Sequence, residues 1–102
     1  MAEDDCRIDV WLWRARLAKT RARAADLAGS GVIRLTRQGA VSRLEKASRT
    51  VRPGDELVFA LAGQISAVRV LAFGTRRGPA PEARLLYQRL DIDDATAERE
   101  RE

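Results

Sequence analysis

The chain has 102 residues, which is enough for one domain with a single modest hydrophobic core. It contains no histidine and one cysteine, Cys6, so an internal disulfide, a Cys/His zinc site and catalysis through histidine are excluded. No apolar run approaches the roughly 18 residues that span a bilayer, and residues 1–5 are acidic, unlike a signal peptide. We therefore expect a soluble, cytoplasmic protein with no membrane partner.

The net charge of +4 is distributed unevenly along the chain. Residues 7–54 carry twelve Lys and Arg against three acids, whereas residues 1–6 and 91–102 are both acidic. Seventeen of the nineteen cations are arginine, which makes forked contacts with phosphate and stacks on bases. This asymmetry favours a polyanion as the partner. The alternative is a solvated arginine-rich surface that reflects composition alone.

The first predicted element is a helix that begins near residue 8. Ile8, Trp11, Leu12 and Ala15 recur at the i, i+3, i+4, i+7 spacing of one helical stripe. Trp13 points away from that stripe, so we expect Trp11 to be buried and Trp13 to be partly exposed.

A second, alanine-rich helix follows. Thr20 is predicted to cap its N-terminus, and Gly29 or Gly31 to end it. Arg21 and Arg23 fall in its first turn, where cations oppose the helix dipole. That placement is poor for stability but suits a helix N-terminus on which a phosphate docks.

Short strands and turns are predicted after the helices. Residues 32–35 form a strand, 36–39 a turn and 40–51 an irregular return. A turn with proline and glycine follows at 52–56. Asp55 in that turn is expected to accept hydrogen bonds from turn amides rather than to act as a base.

The remaining pattern predicts a hairpin, a loop and a helix. Residues 57–73 form two strands joined at 62–64, and 74–81 form a loop with two adjacent arginines. Residues 81–90 are predicted to be a short helix that begins with proline.

These elements predict a small α+β domain. It has two packed N-terminal helices, an antiparallel sheet of four or five strands and a short late helix. We expect residues 1–6 to be a flexible acidic N-terminus, 7–90 the domain and 91–102 a disordered acidic tail.

Catalytic motifs are absent from the sequence. Cys6 lies in an acidic segment that disfavours a thiolate, and no glycine-rich phosphate loop is present. Asp91, Asp93 and Asp94 do not match a calcium loop and are better interpreted as a solvated tail. We therefore expect no enzymatic activity, no metal, no cofactor and no small-molecule substrate.

Two stretches, 7–35 and 46–57, resemble the S4 RNA-binding domain. The matching motifs are Arg7-Ile8-Asp9 at the start, Thr20-Arg21 opening the second helix, Gly31-Val32 before a strand, Lys46-Ala47-Ser48 and Gly54-Asp55. The doubled tryptophans, Lys19-Thr20-Arg21 and the stretch from Arg76 to Tyr87 are most similar to the small ribosome-associated heat-shock proteins of bacteria. The resemblance covers roughly residues 7–90 and implies an S4-like fold.

Two features depart from the family pattern. Residues 35–39 stand where the family usually has a Val-Asn-Gly turn, and the stretch up to Lys46 is about four residues longer, which predicts an extended hairpin over 36–45. The acidic segment 91–102 stands where the heat-shock proteins often carry a long basic extension.

The resemblance implies a non-catalytic protein that binds structured RNA, either rRNA or tRNA, through the helix pair and the following strand turn. The family is linked to free large ribosomal subunits, so we expect that partner and a stress or recycling role. Fixed arginines suit A-form RNA, which is recognised by shape, phosphate and 2′-hydroxyl contacts. The candidate RNA-contacting residues are Arg7, Trp13, Arg14, Arg16, Lys19, Thr20, Arg21, Arg23, Arg34, Arg37, Lys46, Ser48 and Arg49.

Several assignments stay open. Trp13 either stacks on an unpaired base or covers the strands. Arg43 is a further possible contact, and Arg76 and Arg77 form a second basic edge or a solvated loop. The alternative functions are a helix-turn-helix DNA-binding regulator and an adaptor that uses its acidic tail; a monomer is expected.

Overall fold

A computed structural model describes residues 5–61 and 64–90 of the chain. Residues 1–4 of the predicted flexible N-terminus, the hairpin residues 62–63 and the predicted disordered tail at 91–102 lie outside the described residues. Within the described part, no helix combines the length and the apolar character of a membrane span.

Both N-terminal helices are present where the spacing predicts them. Helix α1 covers Ile8–Arg14 and α2 covers Arg21–Gly29. Trp11 is fully buried and Trp13 is half-buried, as expected from their positions around α1. The buried residues of α2 are alanines, and side chains this small let the two helices pack closely.

The start of α2 is capped as predicted. The backbone N–H of Arg23 donates a hydrogen bond to Oγ1 of Thr20 at 3.0 Å, which satisfies one of the amides that a helix N-terminus leaves without a partner. The helix ends at Gly29, and Gly31 follows in the left-handed conformation with φ of +82°. A residue with a side chain is strained there, so glycine is required to redirect the chain into the sheet.

Seven strands and one late helix complete the fold. The elements are β1 Cys6–Arg7, β2 Ile33–Arg37, β3 Ala40–Arg43, β4 Thr50–Val51, β5 Glu56–Leu61, β6 Gln64–Val70, α3 Ala80–Ala83 and β7 Tyr87–Arg89. Five antiparallel strands form the main sheet in the order β3-β2-β5-β6-β7, and β1 pairs with β4. This is the predicted α+β architecture, with an antiparallel sheet after two helices.

The hydrophobic core lies between the helices and one face of the main sheet. Leu35 of β2 is opposite Leu57 of β5, which is opposite Val68 of β6, and all three are buried. Trp11 is part of the same core, and its indole Nε1 donates a hydrogen bond to the carbonyl of Ala72 at 2.8 Å. The bond satisfies the one polar group of a side chain that otherwise contributes apolar area.

The first strand of the fold begins one residue before the predicted start of the domain. Cys6 and Arg7 form β1, in which Cys6 pairs with Val51, and the cysteine is buried. Cys6 therefore belongs to a strand of the fold, while the flexibility of the N-terminal segment stays a prediction. A cysteine packs as a small apolar side chain, and its strand partner lies 45 residues away, so local composition gives no sign of it.

The end of the domain is also different from the prediction. The helix predicted over 81–90 is the short α3, followed by a 3₁₀ turn at Arg84–Leu86 and then by β7. Tyr87 of β7 pairs with Val70 of β6, so β7 is the last strand of the sheet and β6 has a partner on both sides. Strand pairing overrides the weak helical pattern of this short segment.

The predicted extended hairpin closes in a two-residue turn. Gln38 and Gly39 have φ of +51° and +82°, as a type I′ hairpin turn requires, and the strands pair out to Arg37 and Ala40. Part of the return predicted to be irregular is therefore strand, in β3 and β4.

Candidate nucleic-acid interface

The loop of residues 44–49 is attached to the N-terminus of α1. The backbone N–H of Ile8 donates to the carbonyl of Arg49 at 2.7 Å, and that of Asp9 to the carbonyl of Ala47 at 3.4 Å. The next amide, of Val10, donates to Oδ1 of Asp9 at 2.8 Å. Amides that begin a helix have no partner within it, so these bonds fix the loop and the helix to each other.

Two apolar residues of the same loop pack on the core, so the polar side chains of the loop face solvent. Leu44 is fully buried and its N–H donates to the carbonyl of Ile33 at 2.9 Å, while Ala47 packs half-buried on the core. The polar side chains of the loop are exposed, namely Glu45, Lys46, Ser48 and Arg49. The backbone positions of these four residues are thus set by buried neighbours in the loop.

These four side chains and Arg43 of β3 line an open cavity of about 340 Å³, here called the basic cleft. It contains three cations and one carboxylate. Nη2 of Arg49 donates to Oγ of Ser42 at 3.4 Å, a long bond. Among the described residues, the other charged side chains of the cleft have no hydrogen bond or ion pair.

Two arginines face each other across the strands beside the basic cleft. Arg34 of β2 is the register partner of Arg43 of β3, and both are exposed. Like charges directly opposite in a sheet destabilise it, by a fraction of a kcal/mol to about 1 kcal/mol. The stem of Arg43 also passes close to Gly31, where an added Cβ would lie 3.3 Å from its Cδ. The cleft therefore begins near the C-terminal end of α2.

A second group of cations lies at the other end of α2. Lys19, Arg21 and Arg23, here called the helix cations, are exposed and have no side-chain partner within the described structure. The first turn contains no acid that would offset them against the helix dipole. The Thr20 side chain is occupied by its capping bond. The nine residues of α2 separate the two groups by about 13 Å along the helix axis.

Two of the predicted contacts are held in ion pairs with buried carboxylates. Nε and Nη2 of Arg7 donate to the two carboxylate oxygens of Asp9 at 3.1 and 2.9 Å. The same forked arrangement joins Arg37 to Asp55, at 2.9 and 2.7 Å. In both cases the hydrogen bond to the carboxylate raises the pKa of the arginine above its ordinary value.

Asp55 has the role that the sequence predicts. Its Oδ2 accepts a hydrogen bond from the backbone N–H of Arg52 at 2.8 Å, as expected for an acid in a turn. Its side chain is only 3 % exposed, so the charge needs the partner that Arg37 provides. This binding partner was not predicted from the sequence.

Two further predicted contacts fasten the segment before α3 to the helices. Nη1 of Arg14 donates to the carbonyl of Gly74 at 3.0 Å, and Nε of Arg16 donates to the carbonyl of Gly78 at 2.6 Å. With the bond from Trp11 to Ala72, they attach a long loop to α1 and the turn after it. These guanidinium groups are directed at the protein backbone, and RNA contact through them stays a prediction.

The predicted residues therefore fall into separate sets. Lys46, Ser48 and Arg49 come together in the basic cleft, Arg34 adjoins them, and the helix cations lie at the N-terminus of α2. Trp13 packs half-buried against the core, which agrees with its covering role. Of the second basic edge, Arg76 is in an ion pair with Glu82 at 2.9 Å.

One cleft residue, Glu45, was not predicted to contact RNA, and Arg43 was named only as a further contact beside the main set. Arg43 is placed by the register of β2 with β3, which the turn residues Gln38 and Gly39 determine. A type I′ turn predicted at Gln38 and Gly39 would have placed Arg43 opposite Arg34. In the described part of the chain, no group of three or more Cys, Asp or Glu is arranged to hold a metal ion.

Comparison with known proteins identifies named relatives, although no family model matches the chain. It is 38 % identical over 88 residues to a heat shock protein 15 homolog of Haemophilus influenzae, covering 86 % of this chain and 63 % of the relative. It is 34 % identical over 84 residues to heat shock protein 15 of Escherichia coli strain K12, covering 82 % of this chain and 59 % of the relative. The chain thus spans about three-fifths of the length of these relatives.

A solved structure has the same fold. The structure of Vibrio cholerae heat shock protein 15, described as trimeric, matches with a TM-score of 0.73 and 28 % identity. The match covers 94 % of this chain and 92 % of that one. The similarity therefore extends over the helices and the sheet together.

Proposed function

We propose that the chain, a relative of heat shock protein 15, binds structured RNA through the basic cleft and the helix cations, without catalysing a reaction. Its relatives are named as heat-shock proteins, which associates the chain with the stress response. The observation that carries the RNA proposal is the pair of exposed arginines, Arg34 and Arg43, opposite each other in the sheet beside a cleft with further unpaired cations.

The cleft and helix cations differ from other arginines of the protein in the partners that they lack. Arg7 and Arg37 are neutralised by carboxylates, whereas the cleft and helix cations have no acid partner in the part of the chain that is described. Like charges held this close repel each other and weaken the fold slightly. A bound phosphate backbone removes that repulsion, and the counterions released on binding add to the affinity.

Structured RNA is favoured over other polyanions because the cations are held at fixed positions. The basic cleft is attached to α1 and to the core, and the helix cations extend from a capped helix. Duplex RNA is recognised by shape and by phosphate and 2′-hydroxyl contacts, which a fixed array matches. As part of the proposal, the partner is rRNA or tRNA on the large ribosomal subunit in the cytoplasm, and the resemblance to ribosome-associated proteins supports it.

We propose a monomer as the RNA-binding form, although the Vibrio cholerae relative is described as trimeric. The loop that forms the basic cleft is held by bonds within the chain, from the Ile8 and Asp9 amides to the carbonyls of Arg49 and Ala47. Light scattering coupled to gel filtration, with and without RNA, measures the mass directly. A trimer that persists in the RNA complex would contradict the monomeric form but leave the interface testable.

The proposed function is tested by binding of the whole protein to a folded rRNA fragment and to duplex DNA of equal charge, over a range of salt. We expect tighter binding to the RNA and an affinity that falls with salt. Lys46→Ala with Arg49→Ala should lower the salt slope by about 0.7 to 0.9 for each phosphate contact that is lost, the values for single strands and for duplex. A DNA-binding regulator instead prefers the duplex DNA.

A matched control removes the same charge elsewhere. Arg84 and Arg89 are exposed and lie outside the basic cleft and the helix cations, so their double alanine variant loses two cations as well. We expect a smaller loss of affinity and a nearly unchanged slope. Equal losses in both variants would mean that overall charge, and not the basic cleft, determines binding.

A further inference from the structure

Glu45 is an acid on a surface that otherwise attracts phosphate. It lines the basic cleft together with three cations, and it has no hydrogen bond or ion pair with them in the described structure. It therefore does not position a neighbouring arginine, as Asp55 positions Arg37. A carboxylate there repels phosphate, so an interface that recognises only the RNA backbone gains nothing from it.

The size and rigidity of the basic cleft limit what it can bind. Its volume of about 340 Å³ lies near the lower end of the range for small-ligand sites, which begins at about 300 Å³. This is space for one nucleotide, whereas a duplex rests across the cleft without entering it. Leu44 is buried directly before Glu45, and the carbonyl of Ala47 is bonded to α1, so the carboxylate extends from a fixed backbone.

The groups that line the cleft match the parts of a nucleotide. Arg43, Lys46 and Arg49 supply cations for its phosphate, and a guanidinium plane also stacks on a base. The Ser48 hydroxyl both donates and accepts hydrogen bonds. The Glu45 carboxylate only accepts them, so it selects a base edge that presents N–H groups.

We propose that the basic cleft binds one unpaired guanine of the partner RNA, with Glu45 accepting hydrogen bonds from N1–H and the N2 amino group. Guanine presents these two donors side by side, which matches the two oxygens of a carboxylate. Uracil presents one N–H between two carbonyl oxygens, and these oxygens repel the Glu45 carboxylate. Adenine and cytosine each place a ring-nitrogen acceptor beside the amino group, so they offer the carboxylate only one donor position. The inference rests on the proposed RNA-binding function and names the nucleotide that the site selects.

The test uses four RNA hairpins that differ only in one unpaired loop nucleotide, G, A, C or U, at one salt concentration. For the whole protein we expect the guanine hairpin to bind about tenfold more tightly than the uracil hairpin, as for other bidentate side-chain contacts to a base. Glu45→Ala should abolish this preference, lowering affinity for the guanine hairpin and raising it for the uracil hairpin. Opposite signs on two RNAs cannot arise from a simple change of charge or from misfolding.

Asp26→Ala is the control, because Asp26 is an exposed acid on α2 outside the basic cleft. It should raise the affinity for all four hairpins alike and leave the guanine preference intact. If Glu45→Ala also raises all four affinities equally, Glu45 is only a solvated acid and base selection is overturned while RNA binding stands. If the wild-type protein binds none of the hairpins at low salt, the proposed function fails with it.

Discussion

Where α1 meets the sheet and the segment before α3, arginine side chains bond to buried carboxylates and backbone carbonyls. In the basic cleft and at the helix cations, the arginines have neither kind of partner within the described structure. Arg37 is bonded to a buried carboxylate and Arg16 to a backbone carbonyl. Arg34, three residues before Arg37 on the same strand, has Arg43 as its register partner on β3. One residue type thus stabilises the fold in one region and is left for a partner in the other.

The largest expected effect is a difference in the free energy of unfolding between alanine variants of Arg34 and Arg37, both on β2. Arg37→Ala leaves the Asp55 carboxylate buried without its cation, and breaking such a pair costs about 3 kcal/mol or more. Arg34→Ala removes a like-charge contact, so the free energy of unfolding should stay the same or rise by about 0.5 kcal/mol. Urea denaturation of the two variants measures both. Equal destabilisation would remove the distinction between paired and unpaired arginines.

A smaller effect is expected at the helix cations. Alanine at Lys19, Arg21 and Arg23 removes charges that oppose the dipole of α2, so unfolding should become harder by a few tenths of a kcal/mol per residue. The same variant should bind the rRNA fragment more weakly, with a shallower salt slope. Stability and affinity therefore move in opposite directions. A variant that loses both would indicate that these cations support the fold.

Loss of the Thr20 cap is the control for the helix-cation variant, because it changes the stability of the same helix turn without removing a cation. Thr20→Ala removes the bond to the Arg23 amide and should cost about 1 kcal/mol in the free energy of unfolding. Its RNA affinity should change little under conditions where the variant is folded. A large loss of affinity with an unchanged fold would give Thr20 the direct RNA contact that was predicted from the sequence.

The smallest effect is expected from the acidic segment 91–102. Its removal takes away four net negative charges, so RNA affinity should be unchanged or slightly higher at low salt. An adaptor that works through this segment loses its protein partner in the same variant. Pull-down and RNA binding on one truncated protein therefore distinguish the two functions.

Much of the fold could be predicted because its signals are local. The buried stripe on α1, the Thr20 cap and the Pro53-Gly54 turn each depend on residues within a few positions of one another. β1 and β7 were missed because their pairing partners, Val51 and residues of β6, are distant in the sequence. Pairing of this kind depends on the whole sheet and not on the segment itself.

The candidate site was predictable in part for the same reason. The motif around Lys46 and Ser48 located the loop, but residue type alone could not separate Arg34 from Arg37. The alternation along β2 could have done so, because Leu35 faces the core and Arg37 lies on the same side of the strand. Glu45 gave no signal in the sequence, since its importance depends on the cations that surround it in the basic cleft.

The most direct test of the difference between the two regions is the NMR signal of each arginine Nε–H during titration with the folded rRNA fragment. The signals of Arg34, Arg43 and Arg49 should shift, together with those of the arginines among the helix cations, because their Nε–H groups have no partner in the described structure and can donate to phosphate. The signals of Arg7 and Arg37 should stay in place, since their Nε–H groups already donate to Asp9 and Asp55. Shifts confined to Arg7, Arg14, Arg16 and Arg37, with none in the basic cleft, would contradict the account.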